Sequence, residues 1–128
     1  MKLLLDTHVL LWAAADPRRL SQRARDMIDD RENRLFFSVA SLWEVVIKSA
    51  LGRADFKVDT AVLRLGLVAN DFEELAISGD HVLALASLPM LHKDPFDRML
   101  VAQAVAEDMT LLTADEQVAA YDGPILKV

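Results

Sequence analysis

Four acidic residues, Asp6, Glu44, Asp97 and Asp115, lie far apart in the chain, yet each stands at a comparable local position. Asp6 ends the apolar run "KLLL", Glu44 lies about one turn into the helical stretch after "RLFFS", Asp97 falls in the first turn of a long helical stretch, and Asp115 follows "TLLT" by two residues. A cluster of hard carboxylate oxygens suits Mg²⁺, with Mn²⁺ as a substitute, rather than zinc or copper. Two such ions roughly 4 Å apart activate a water and stabilise the leaving oxygen of a phosphodiester.

Each acid also has a purely local account. Ser41 and Glu44 fit a capping box, as do Thr113 and Glu116 around Asp115. In "HKDPFDRM", Asp94 suits an N-cap, Pro95 the first helical position, and Asp97 the third, where its charge meets the helix dipole. Asp94 shares a helix face with Asp97 and is therefore either a further metal ligand or only a cap. Asp6 resists a local account, because a carboxylate between two apolar segments is expected to be buried, and a buried carboxylate must be paired, hydrogen-bonded or metal-bound. Taken together, carboxylates gathered without a cation repel one another and raise their own pKa values, which favours a functional reading of the set.

The elements that must position these acids alternate. Apolar runs at 2–6, 34–38, 73–77, 110–113 and 124–128 read as strands. Between them, 8–15, 21–32, 41–52, 59–71, 78–88 and 95 to about 108 read as helices, with a short helix from Ala114. Such alternation predicts an α/β fold, a three-layer α/β/α arrangement around a mainly parallel sheet. All strands of a parallel sheet end at one edge, where ligands bind, so the four acids are expected along one rim.

Composition narrows the class further. At 128 residues, with 53% hydrophobic and 27% charged residues, the chain is expected to form one domain with its own core. The absence of cysteine excludes disulfides, thiol nucleophiles and Cys zinc sites. The N-terminus superficially mimics a signal peptide, but Asp6 and His8 interrupt the apolar run, and no segment approaches the ~18 apolar residues of a membrane span. The cytoplasm is the expected compartment. A net charge of −6 argues against a simple electrostatic nucleic-acid binder, although Arg18, Arg19, Arg23, Arg25, Arg31 and Arg34 cluster on a stretch that is either a solvated helix face or a phosphate-contacting edge.

Other doubly wound classes fit less well. A phospho-receiver domain wants paired acids after strand one and a late Lys, whereas Thr7 follows Asp6 and no Lys follows "TLLT". A haloacid-dehalogenase-type phosphatase needs a second Asp where His8 stands. No Ser/His/Asp arrangement emerges, since His8 and His81 read as ordinary helix residues and His92 as a loop residue.

The segments "LLLDTHVLLW", "SVASLWEVVIKSALG" and "HKDPFDRMLVAQAVAEDMTLLTAD" resemble PIN-domain proteins, in particular VapC-type toxins of toxin–antitoxin pairs, nearly end to end. The resemblance implies a single PIN-like domain over residues 1–128 and a Mg²⁺- or Mn²⁺-dependent endoribonuclease. It also implies RNA as substrate, a VapB-type antitoxin as partner, a homodimer, and no membrane. It carries the catalytic and metal-binding acids onto Asp6, Glu44, Asp97 and Asp115, with Thr7 and Thr113 beside them. An antitoxin segment is expected in a groove between helices, with Trp12, Trp43 or nearby Leu as anchors. The alternative is a non-catalytic PIN-like module that binds RNA or protein.

Overall fold

The computed structural model describes residues 1–128. Its elements run β1 (Lys2–Leu5), α1 (Thr7–Ala15), α2 (Gln22–Asp29), β2 (Arg34–Ser38), α3 (Val39–Ala50), α4 (Thr60–Ala69) and β3 (Glu73–Leu75). They continue with α5 (Gly79–Leu85), α6 (Pro95–Glu107), β4 (Thr110–Thr113), α7 (Glu116–Ala119) and β5 (Ile125–Lys127). Two short 3₁₀ turns, at Pro17–Arg19 and Ala54–Phe56, were not expected from periodicity.

The five strands form one sheet in the order β3-β2-β1-β4-β5, and every pair is parallel. The expected α/β/α architecture is therefore observed, with a sheet that is parallel throughout. In β1, Leu3 and Leu5 point to one face and Leu4 to the other, and all three are fully buried. Phe37 and Leu112 join Leu3 and Leu5 against α1, α2 and α4, while Phe36 and Leu111 join Leu4 against α6 and α7. Each such side chain contributes about 1.5–3 kcal/mol by leaving water. Burial on both faces explains why the strands read as continuous apolar runs rather than alternating ones.

The chain builds outward from β1 through β2 to β3, then returns to place β4 on the other side of β1. The order thus reverses between β1 and β4, and the crevice beyond the C-terminal ends of these two strands is the natural ligand position. Asp6 follows β1 directly, and Thr113 closes β4.

Two local expectations are corrected. The N-cap of α3 is Ser38, whose hydroxyl accepts from the Ala40 N–H, so Ser41 and Glu44 lie inside the helix and form no capping box. The N-cap of α7 is Asp115, which accepts from the Gln117 N–H, and Thr113 makes no box with Glu116. In both places the helix boundary moves because a strand-ending hydroxyl residue serves the strand-to-helix turn itself. The helix expected over 78–88 stops at Leu85 and passes into turns, and the strand expected over 73–77 ends at Leu75.

Candidate functional site

Three of the acids are helix N-caps. Asp6 accepts from the Val9 N–H at the start of α1, Asp94 from the Phe96 and Asp97 N–H groups at the start of α6, and Asp115 from Gln117 at the start of α7. Asp97 occupies the third position of α6, as "DPFD" predicts. Helices that return over a parallel sheet begin at the strands' C-terminal edge, so capping and clustering have one cause. The positive ends of several helix dipoles face the same rim and favour negative charge there.

Asp6 is 4% exposed. One of its oxygens takes the Val9 amide and the other accepts from the Thr113 hydroxyl. Burial pushes its carboxyl above the ordinary value, opposed by the bonds from Thr113 and Val9, and the nearby charge of Asp115 pushes it further up.

Glu44, 2% exposed, reaches the same rim from the buried side of α3. Its Oε1 accepts from the Thr7 hydroxyl at 2.6 Å, and Thr7 lies 2.9 Å from the Ser41 hydroxyl. Its Oε2 accepts from the Lys48 ammonium one turn later in α3, and Lys48 also lies 3.5 Å from Asp94 Oδ2. Thr7, Ser41 and Thr113 are all buried, so three hydroxyls fix the two most buried acids.

Asp97 joins the set together. Its carboxyl is pushed up to about 7, first by burial, then by the charge of Asp94, with Glu44 and Asp6 adding further repulsion. The His92 ring, 2.7 Å from Asp97 Oδ2, opposes that rise. The structure therefore brings Asp6, Glu44, Asp94 and Asp97 into mutual electrostatic reach, and Asp115 joins from the far side of Asp6, where it is exposed. A small hollow lined by Asp6, Asp115, His8, Trp12, Arg19 and Asp55 opens beside them.

The donor set fits a hard divalent cation. It is made of carboxylate oxygens, and burial followed by the charges of Asp94, Glu44 and Asp6 lifts the Asp97 carboxyl to about 7, a cost that a cation would relieve. His92, Asp94 and Asp97 each place one ligand atom within 4.8 Å of the others. Asp94, however, spends one oxygen on two backbone amides and turns the other toward Lys48, while His92 holds Asp97 by a hydrogen bond. Its geometry makes Asp94 chiefly a cap and a partner of Lys48.

Lys48 and His92 were missed as site residues. The spacing of Glu44 and Lys48, four apart on one helix, was an available signal. No periodic signal marks His92, because residues 86–94 form no regular element and the backbone N–H of His92 is fixed by the buried Tyr121 hydroxyl at 3.1 Å. His81 is a core residue, bonded to Glu107 at 2.8 Å and to the Ser78 cap. His8 pairs with Asp55 at 3.0 Å on the rim. Of the arginines, Arg34 pairs with Glu73 at the opposite end of β2, whereas Arg19 stacks on Trp12 at 4.8 Å and borders the hollow by the site.

In a three-layer parallel α/β domain the topological switch point is where ligands bind, and here carboxylates gather at it. Residues 3–124 match the PIN domain model, and the chain belongs to the PIN domain family. It is 26% identical over 122 residues to the ribonuclease VapC22 of Mycobacterium tuberculosis, covering 94% of this chain and 92% of that relative. The fold is similar to the structure of VapBC2 from Rickettsia felis bound to a promoter DNA fragment, with a TM-score of 0.72, 16% identity, and coverage of 99% of this chain and 98% of that one. A toxin–antitoxin complex from Klebsiella pneumoniae matches at a TM-score of 0.61 and 18% identity, over 97% and 95% of the two chains. VapBC-1 from nontypeable Haemophilus influenzae matches at the same score and identity, over 93% and 90%.

Proposed function

We propose that this chain is a metal-dependent endoribonuclease of the VapC type, the toxin of a toxin–antitoxin pair, folded as a single PIN domain over residues 1–128. The observation that carries the reading is the convergence of Asp6, Glu44, Asp97 and Asp115 from four separate segments onto the switch-point crevice, supported by buried hydroxyls and by membership of the family. The relative named ribonuclease VapC22 spans nearly the same length and supports the activity.

The chemistry that Mg²⁺ or Mn²⁺ supplies when bound is activation of a water and stabilisation of charge on the phosphodiester oxygens. Asp6 and Asp97 would hold the ion, with Glu44 completing the acidic wall from α3. Thr113 and Thr7 keep Asp6 and Glu44 from rotating, which fixes the site before any ligand arrives. Asp115 is exposed, and with one oxygen on the Gln117 amide it has the other to take the proton of an attacking water. Water oxygen bonds to phosphorus, the bond to the 3′ oxygen breaks, and that oxygen takes up a proton from solvent while Asp115 later releases the one it accepted. The products carry 5′-phosphate and 3′-hydroxyl ends. Arg19 and Lys93, both exposed, offer positive charge to an anionic substrate near an otherwise acidic rim.

The partner reading rests on a groove of about 730 Å³ between α1, α2 and α4, lined by Ala13, Ile28, Leu35, Val62, Leu63 and Phe72 among others. An amphipathic segment of a VapB-type antitoxin fits its apolar walls. Trp43 and Val46 stay exposed along α3, as does Leu51 at its C-cap, and with Leu83, Met90 and Leu91 they offer apolar surface for a homodimer. No helix is long and apolar enough to cross a membrane, in keeping with the cytoplasm as the place of action.

End mapping tests the reaction. Purified protein, freed of antitoxin and supplied with Mg²⁺ or Mn²⁺, should yield RNA fragments that ligate directly at 5′-phosphates. Fragments ending in 2′,3′-cyclic phosphate would contradict hydrolysis by an activated water.

A further inference from the structure

Lys48 is the cation most deeply set in the molecule's ion pairs. Its side chain is 17% exposed and the side chains of its partners Glu44 and Asp94 are almost wholly and largely buried, respectively, whereas Arg34, Arg64 and Lys127 pair at the open surface. The ammonium sits 4.9 Å from the Phe56 ring and 6.0 Å from the Phe96 ring, so aromatic faces flank it as well as carboxylates. Two carboxylates, Glu44 and Asp94, converge on its ammonium. Lys48 therefore sets a lysine ammonium within the acidic wall.

Its contacts divide the carboxylates into two groups. Glu44 gives one oxygen to Thr7 and the other to Lys48, and Asp94 gives one to backbone amides and the other to Lys48. Asp6 and Asp97 pair with no Lys or Arg: Asp6 bonds the Val9 amide and the Thr113 hydroxyl with the His8 ring nearby, and Asp97 bonds the His92 ring. A divalent ion brought to the Glu44 and Asp94 oxygens would meet the ammonium at contact distance, and like charges so close repel strongly in a poorly solvated site. Beside Asp6 and Asp97 stand two imidazoles, which can offer a lone pair to a cation, and no ammonium.

Resting on the metal-dependent reading above, we propose that Lys48 is a built-in cation occupying the place of a second metal ion, so that the chain binds one divalent ion, at Asp6 and Asp97, and Lys48 positions Glu44 and Asp94. Lys48 neutralises one side of the crevice, and a single exchangeable ion serves the other. Glu44 then reaches that ion only through its Thr7-bound oxygen.

The test counts ions on the metal-free full chain with Mn²⁺ alone, by calorimetry and by electron paramagnetic resonance of free Mn²⁺. Wild type should bind one ion per chain. Lys48→Met, which keeps the length and removes the charge, should bind two, and Lys48→Arg should return to one. A purely structural lysine would alter melting temperature without changing the count. Two ions on wild type would overturn the inference and leave the nuclease reading standing, as would a single ion on Lys48→Met. No binding at all would overturn both. If Lys48→Met does not fold, Lys48→Gln replaces it under the same criteria, and the wild-type count alone still decides against the inference if it is two.

Discussion

The Thr113 hydroxyl donates to the Asp6 carboxylate across the seam between β1 and β4, joining residues 107 positions apart at the point where the strand order reverses. Both are buried, so the bond is made out of water, and Thr113 has a second task, since its oxygen accepts from the Asp115 amide at 3.0 Å. One hydroxyl thus orients the Asp6 carboxylate and anchors the backbone at Asp115.

Replacing Thr113 by Val keeps the shape and removes the donor. Asp6 would keep its burial and lose the bond that opposes its raised pKa, at a cost of about 1–3 kcal/mol for the unsatisfied group. Urea denaturation should show that loss, and Mn²⁺ affinity should fall on the order of 10-fold or more, as for other residues that orient a ligand. Thr113→Ser should retain most of both. A Val variant that binds Mn²⁺ like wild type would show that Asp6 needs no such support.

The metal-free protein should become less stable as pH rises toward neutrality. Asp97 titrates near 3.8 when unfolded and at about 7 when folded, so between these values the folded state binds more protons than the unfolded state. Stability therefore falls as pH climbs through that window, by an amount on the order of a few kcal/mol. Melting temperature in EDTA should drop from pH 5 to pH 7.5, and Asp97→Asn should flatten much of that slope. With saturating Mg²⁺ the trend should reverse, because the ion displaces the proton. Identical slopes for wild type and Asp97→Asn would refute the assignment.

The groove between α1, α2 and α4 should accept a helical antitoxin segment on Val62, which is 66% exposed. Val62→Asp puts a charge on the apolar wall at little cost to folding, within about 0.5 kcal/mol for a surface change. Calorimetry with the VapB-type partner should show affinity reduced on the order of 100-fold, with RNA cleavage by the free chain unchanged. Unaltered affinity would place the partner elsewhere.

The apolar runs placed all five strands within two residues of their observed ends, because burial on both faces leaves little room for polar interruption. "DPFD" fixed the start of α6 for a similar reason, since Pro95 permits only a first-turn position. The capping boxes failed because S-x-x-E reads the same at a helix start and inside a helix. β2 turns directly into α3, and that strand-to-helix junction put the boundary at Ser38. The burial of Glu44 was not readable from its neighbours, since it depends on Thr7, 37 residues away. The pairing of His92 with Asp97 depends likewise on a loop pinned by Tyr121 from the other end of the chain.

RNA cleavage by wild type and Asp97→Asn, each prepared free of antitoxin and incubated with total cellular RNA in Mg²⁺ or Mn²⁺ with EDTA controls, bears on the whole account. Wild type should make discrete cuts that vanish with EDTA and fall at least 100-fold in the mutant, while the mutant melts no lower than wild type in EDTA. Cutting that persists in Asp97→Asn, or in EDTA, would contradict the acidic crevice as the seat of the reaction.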